Sequence, residues 1–440
     1  MKVDVGREIG TKGFSEEALL QLSAARSEPD WLLQRRLETW LAYSVMPMPT
    51  RKEEEWRRTD LSSLDLNEIT PVAPMGGNGL PQEIAGLGVG EESAGLLVHA
   101  DSALAATGLT EALAARGVIF GDLGQAAREY EDLVRPHLNS LVPPDSGKYA
   151  ALNGAFWTGG SFLYVPRGLE VAVPFQAFTW ATGPGYAVMP RTLVVAEEGA
   201  SVTLIDEYAS ADHEAIGMAN GVVELIVGRG ASVRYVALQR WGRNMFNLSF
   251  NRGAVARDGQ LTTMSVVLGS RITKSWVESL LREPGASTNM MGVMFPDGTQ
   301  RFHHHTLQDH QSPDTTSDLL YKAVLDGKAR SEYSGLIRVR KDAQRTNAYQ
   351  ANRNLSLSRN ARADSMPKLE IEANDVRCTH GATVGPIDPE QLFYLMARGL
   401  PRNEAQRIIV EGFFTPVVER IPLESVQRRI WDALAAKLSS

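Results

Sequence analysis

The sequence predicts a mainly β protein, a parallel β-solenoid flanked by helical segments, and three observations carry that prediction. From about residue 148 to 376, β-branched and aromatic residues stand in short runs split by Gly, Pro, Asn and Asp, the texture of strands and turns. A Gly-Ala-Ser turn recurs inside that stretch at a near-constant interval, the mark of a stacked supersecondary unit. Helical periodicity is found on either side of it, with little between the repeats.

The N-terminal region, residues 1–147, reads as mixed and mainly helical. Ser27 is placed to cap a helix with Trp31, Leu32, Leu33, Leu37, Trp40 and Leu41 on one broad face, and Pro47 and Pro49 stop it. The polar stretch 50–66 contains Glu53, Glu54, Glu55, Trp56 and Arg57. Residues 71–92 are rich in Gly and Pro and read as a loop or linker. Short apolar runs at 95–98 and 118–120 alternate with a possible helix over 109–115.

The solenoid is assigned to residues 148–387. Phe162 to Gly168 is a strand and turn, and 193–196 and 201–208 are strands separated by Glu197-Glu198-Gly199-Ala200. Gly199-Ala200-Ser201-Val202 returns as Gly230-Ala231-Ser232-Val233, and Gly259-Gln260-Leu261 and Gly285-Ala286-Ser287 are degenerate copies, so the glycines lie 31, 29 and 26 residues apart. Turns at 326–329 and 359–362 extend the rhythm loosely. Asn347, Asn352, Asn354 and Asn360 suit the polar stacking that parallel solenoids tolerate. The competing architecture is a large antiparallel sandwich with accidental glycine spacing.

Residues 388–440 turn helical. Asp388 caps, Pro389 takes the first position, Gln391 completes a capping-box-like start and Gly399 ends the helix. Asn403 is placed to cap a second helix carrying Ile408, Ile409 and Val410, with Gly412 stopping it. A third runs from about Leu423, with Val426, Ile430, Leu434 and Leu438 at four-residue steps.

Composition narrows the function. The 440 residues are 43% apolar and 22% charged, ordinary for a globular chain. A net charge of −7 argues against a general nucleic-acid binder. The single cysteine, Cys378, cannot build a disulfide framework, which points inside the cell. Residues 1–13 carry charges in place of a signal peptide's apolar region, and no run of about 18 apolar residues marks a membrane span. A bacterial cytoplasm fits best, and a processed organellar protein fits the same features. Gly147-Lys148 and Gly327-Lys328 lack the rest of a phosphate-binding loop, so no ATP site of its own is expected. No G-x-S-x-G, H-E-x-x-H or C-x-x-C occurs.

Two side-chain groups could carry chemistry. His303, His304 and His305, with His310 nearby, form the densest cluster. On a strand His303 and His305 share a face about 6–7 Å apart while His304 turns away. They would bind a metal only with a third ligand, and stacked hydrogen-bonded histidines are the favoured reading, because alternation splits the cluster and no carboxylate sits at a matching offset. Cys378 and His380 would likewise share one face of an extended segment, with Arg377 and Thr379 on the other and Gly381 allowing close approach. Thiolate and imidazole together suit a soft metal, and a buried inert cysteine beside a structural histidine is the alternative.

The segment around that pair carries a resemblance. Residues 368–400 read Lys-Leu-Glu-Ile-Glu-Ala-Asn-Asp-Val-Arg-Cys-Thr-His-Gly-Ala-Thr-Val-Gly followed by Pro-Ile-Asp-Pro-Glu-Gln-Leu-Phe-Tyr-Leu-Met-Ala-Arg-Gly-Leu, which closely resembles the C-terminal signature of the SufB/SufD family of iron–sulfur cluster assembly scaffolds. Residues 153–176, 305–310, 333–335, 352–357 and Glu54-Glu55-Trp56-Arg57 are similar to the family as well, so the likeness spans about residues 45–415. Gly381 after His380 and the lone cysteine resemble the SufD branch more than SufB. The resemblance implies a right-handed parallel β-helix and a non-catalytic scaffold. It implies pairing with a SufB-type subunit or a second copy of the chain, and docking of a SufC-type ABC ATPase on the C-terminal helices through Phe393, Arg398, Gly399 and Phe413. It also implies a transient iron–sulfur cluster shared with the partner, with His380 and Cys378 as ligands. A purely structural subunit, or a β-helix metalloenzyme using His303 and His305, remain the alternatives.

Overall fold

The structure, a computed structural model, describes residues 12–72 and 93–439. The proposed linker at 71–92 lies almost wholly outside them. The chain alternates between two ten-stranded sheets, so that each turn of the coil gives one strand to each. The first sheet runs from Ala103–Leu109 and Gly95–Ala100 through Phe175–Ala181 to Val376–Pro386, and the second from Ile119–Asp122 and Ser161–Val165 to Arg362–Ile371. All pairings after the entry strands are parallel, and only Gly95–Ala100 with Ala103–Leu109 and Ile119–Asp122 with Ser161–Val165 are antiparallel. This is the parallel solenoid, of about eight turns, and it excludes the antiparallel sandwich. The strands at 95–100 and 119–122 show that both sheets begin before residue 148.

The register explains the repeat. Ser201, Ser232, Gln260, Ser287, Thr316 and Asn347 stack in one row across the first sheet. Two residues before each stands a left-handed residue: Gly199, Gly230, Asp258, Gly285, Asp314 and Arg345. The turn into the first sheet therefore demands positive φ, which glycine meets without strain and Asp tolerates. The third copy sits on Asp258, one residue before the Gly259 read from the sequence. The turns at 326–329 and 359–362 belong to the opposite edge, where the chain passes into the second sheet, so the loose rhythm merged two series of turns. Of the four asparagines, Asn352 and Asn354 are buried and bonded to each other at 2.7 Å, while Asn347 and Asn360 are exposed.

Between the sheets lies an aliphatic core that includes Val202, Val233, Leu261, Val227, Val255 and Leu281. The two outer faces are covered from opposite ends of the chain. Helices Glu16–Ala25, Asp30–Val45 and Lys148–Phe156 and the 54–72 segment close the second sheet, with Leu19, Leu22, Trp56 and Phe156 packed near Met218, Phe246 and Phe250. Helices Arg402–Val418 and Glu424–Ser439 cover part of the first, with Val410, Phe414, Ile430 and Leu434 against Val236, Met264 and Val293. No helix among the described residues is long and apolar enough to cross a membrane.

Three helix boundaries differ from expectation. Ser27 caps nothing: it takes φ 49 just past the first helix, and the second starts at Asp30 after Pro29. Asn403 lies inside a helix that begins at Arg402 after Pro401. Gly412 does not stop that helix, which continues through Pro416 to Val418. Burying Val410, Phe414, Val417 and Val418 contributes about 1.5–3 kcal/mol each. Together this outweighs the roughly 1 kcal/mol for the glycine and 3 kcal/mol for the proline. Asp388 caps as expected, accepting from the Glu390 amide at 2.9 Å, and Gly399 follows at φ +94.

Candidate functional site

The solenoid ends on two strands, Arg362–Ile371 and Val376–Pro386, each paired on one side only. Nothing among the described residues caps this end. Leu369, Ile371 and Val384 are 37%, 41% and 54% exposed there, although they continue the inward-facing rows of Ile337, Val339 and Asn354. An open edge with apolar side chains is what isolated sheets avoid.

Cys378 and His380 lie on the second of these strands, opposite Ala348 and Gln350. Their two-residue spacing puts both on one face, as the sequence indicated, and the pairing makes it the inward one. Cys378 packs beside Ile337, Val339 and Ala348, and burial pushes its thiol above the usual range. At neutral pH it is a thiol that must lose a proton to bind metal. The His380 ring is exposed and makes no hydrogen bond or ion pair among the described residues. A Cβ at Gly381 would meet only the Tyr349 hydroxyl at 3.6 Å, so this chain's own packing does not demand glycine there. The end thus presents a half-buried thiol and an uncommitted imidazole on one face, open to whatever covers it.

Each histidine of the cluster has at least one ring nitrogen engaged within the protein, while His303 Nε2 and His304 Nε2 are buried with no hydrogen-bond partner. On strand Arg301–His310, His303 and His305 face outward and His304 inward, the alternation the sequence predicts. His303 Nδ1 lies 3.2 Å from both Thr59 Oγ1 and Glu332 Oε2. His305 Nε2 accepts from Lys274 Nζ at 2.8 Å, and burial beside that ammonium pushes its pKa down to about 2. His304 Nδ1 meets Ser275 Oγ at 2.7 Å, with burial lowering its pKa to about 3. His310 lies between Thr315 and Ser317 hydroxyls at 2.8 Å each, with burial lowering its pKa to about 4. No group of three His, Cys, Asp or Glu side chains among the described residues could hold a metal ion. An ammonium on His305 takes the lone pair a metal would need.

Sequence reading missed Lys274, which explains the Glu-Glu-Trp-Arg motif. Its Nζ donates to the Glu55 carbonyl at 2.6 Å and lies 4.6 Å and 5.0 Å from the Trp56 and Trp276 ring centres. Trp276 Nε1 donates to the Glu55 carboxylate, and Lys368 holds Glu54 at 2.8 Å. The motif is a strap across the histidine strand. Motif and cluster were both visible in the sequence, but nothing local links residues 219 apart.

Of the four residues assigned to partner docking, three lie on or just after one helix. Phe393 is 73% exposed on helix Pro389–Ala397, Arg398 stacks 4.9 Å over Tyr394, and Gly399 closes the helix. Beside them a cleft of about 800 Å³ is lined by Val384, Leu392, Phe393, Met396 and Arg402, adjoining the last strand. Phe413 lies apart, with its ring 4.7 Å from Lys322 Nζ and its carbonyl holding that ammonium at 2.6 Å.

Residues 179–413 match the family described as SUF system FeS cluster assembly, SufBD core domain, and residues 20–177 match the SufBD protein N-terminal region. Iron-sulfur cluster assembly SufBD family proteins of Staphylococcus saprophyticus and Staphylococcus aureus (strain MRSA252) are each 30% identical to this chain, and one of Staphylococcus epidermidis (strain ATCC 12228) is 31% identical. Each alignment runs over 427 residues and covers 94% of this chain and 90% of the relative. The solenoid, its helical flanks and these matches agree: the chain belongs to the SufBD family of iron–sulfur cluster assembly proteins.

Proposed function

We propose that this chain is a non-catalytic scaffold subunit of the SufD kind, acting in the cytoplasm. It pairs end to end with a SufB-type subunit, or with a second copy of itself, and the pair holds a nascent iron–sulfur cluster as cargo at their junction. The observation that carries this reading is the Cys378–His380 pair on an uncapped terminal strand. Clusters take about four ligands, mostly thiolates. A chain with one cysteine supplies at most part of that set. The exposed helix end at Phe393, beside the last strand, is the matching place for a SufC-type ABC ATPase to act on the junction.

Co-expression with SufB- and SufC-type proteins, followed by iron and acid-labile sulfide analysis of the purified complex, tests the reading. His380→Ala is expected to lower cluster content several-fold and Cys378→Ala to a lesser degree, with the complex intact. Unchanged cluster content in both variants would leave a purely structural subunit. Stoichiometric metal on the isolated chain that His303→Ala removes would favour the metalloenzyme.

A further inference from the structure

The geometry points to an anion site on the outer face of the first sheet, fitted to a small phosphate-bearing molecule. C-terminal helices cover only part of that face. They bury the row Val236, Met264 and Met291 and leave open the two rows nearer the glycine turns. In one open row Ser201, Ser232 and Gln260 stand side by side, and in the next Thr203, Arg234, Thr262 and Asn289. Arg420, just past the end of helix Arg402–Val418, overhangs them with Nη1 3.7 Å from Met291 Sδ. The result is a groove of about 500 Å³ with two arginines and no acidic residue in its lining.

What marks this groove is that its lining brings two arginines together with no carboxylate beside them. Arg240 at the far end of the strand that carries Arg234, Arg243 just beyond it and Arg252 on the following strand each hold a carboxylate. Neither Arg234 nor Arg420 has an ion pair among the described residues. Two guanidinium groups over a floor of hydroxyl and amide donors match the several acceptor oxygens of a phosphate, which arginine engages bidentately. Two guanidinium charges and a lining without carboxylates favour an anion over a cation. This site is separate from the Cys378–His380 end and does not rest on the scaffold reading.

Titration of the full chain with pyrophosphate at constant ionic strength, set with sodium chloride, tests the site. Calorimetry is expected to show one saturable site per chain, and the thermal midpoint should rise in pyrophosphate above its value in matched chloride. Arg234→Gln and Arg420→Gln should each weaken binding about tenfold, the loss of one charge-assisted contact. Arg229→Gln, on a turn outside the groove, should bind as the parent does. Circular dichroism and the anion-free thermal midpoint establish that each variant is folded. Non-saturating heats, or parental affinity in both groove variants, would overturn the assignment and identify any midpoint shift as general screening.

Discussion

Buried imidazoles give the protein a defined acid limit. His304, His305 and His310 have folded pKa values lowered by burial to about 3, 2 and 4, against an ordinary value near 6.5. Below pH 6.5 the unfolded chain binds protons that the folded chain refuses, so stability falls as pH falls, on the order of 1.4 kcal/mol per pH unit for each ring. Urea unfolding between pH 7 and pH 4.5 is expected to show that slope, and His304→Gln and His310→Gln to flatten it. Lys274 works with the same sign at the other end of the scale. Burial lowers its pKa to about 8, so between pH 8 and 10.5 the unfolded chain holds the extra proton and stability rises with pH. Lys274→Ala removes contacts to Glu55, His305 and two tryptophans, and is expected to cost about 2–4 kcal/mol in urea unfolding.

Each turn and helix states what it contributes through the position of one or two residues. Gly285 is left-handed at φ +76, and a Cβ there would also strike the Asp258 carboxylate, so Gly285→Ala is expected to destabilise by at least about 1–2 kcal/mol. The C-terminal helices divide into an anchored part and a free part. Glu424–Ser439 is tied to the solenoid by Lys437 on Asp297 at 2.6 Å and by Arg429 on Glu207 at 3.2 Å. Pro389–Ala397 instead projects Phe393 and Tyr394 into solvent. Phe414→Ala should therefore cost about 3–5 kcal/mol of stability. Phe393→Ala should leave unfolding nearly unchanged while reducing capture of a co-expressed SufC-type ATPase, and capture at the parental level would remove this helix from the docking surface. The sequence reading of these helices failed where burial overrode local preference, at Gly412, and where proline took the place of a side-chain cap, at Asn403.

For the whole molecule, the asymmetry of the two ends matters most. At the entry end the outermost strands are antiparallel and Leu109 and Leu113 pack on the core, while the exit end leaves the inward-facing Leu369, Ile371 and Val384 uncovered. A solenoid repeat is stable only when the next repeat covers it, and a terminal repeat needs a cap or a partner. Ile371→Lys combined with Val384→Lys is expected to abolish pairing with a co-expressed SufB-type subunit or a second copy. The thermal midpoint of the isolated chain should hardly move, because both side chains are already exposed. Sedimentation velocity reads the first outcome and calorimetry the second.

The sequence by itself determined the solenoid, because the left-handed turn recurs at nearly every coil and glycine marks three of its six copies. It also determined that Cys378 and His380 share a face, because strand alternation is a local property. Tertiary structure alone decided that Lys274 meets Glu55 across 219 residues, that His305 loses its lone pair to that lysine, and that the Cys378–His380 strand is the last. Those facts depend on which coil lies against which segment, and the free energy that selects such contacts comes from burial summed over the whole chain.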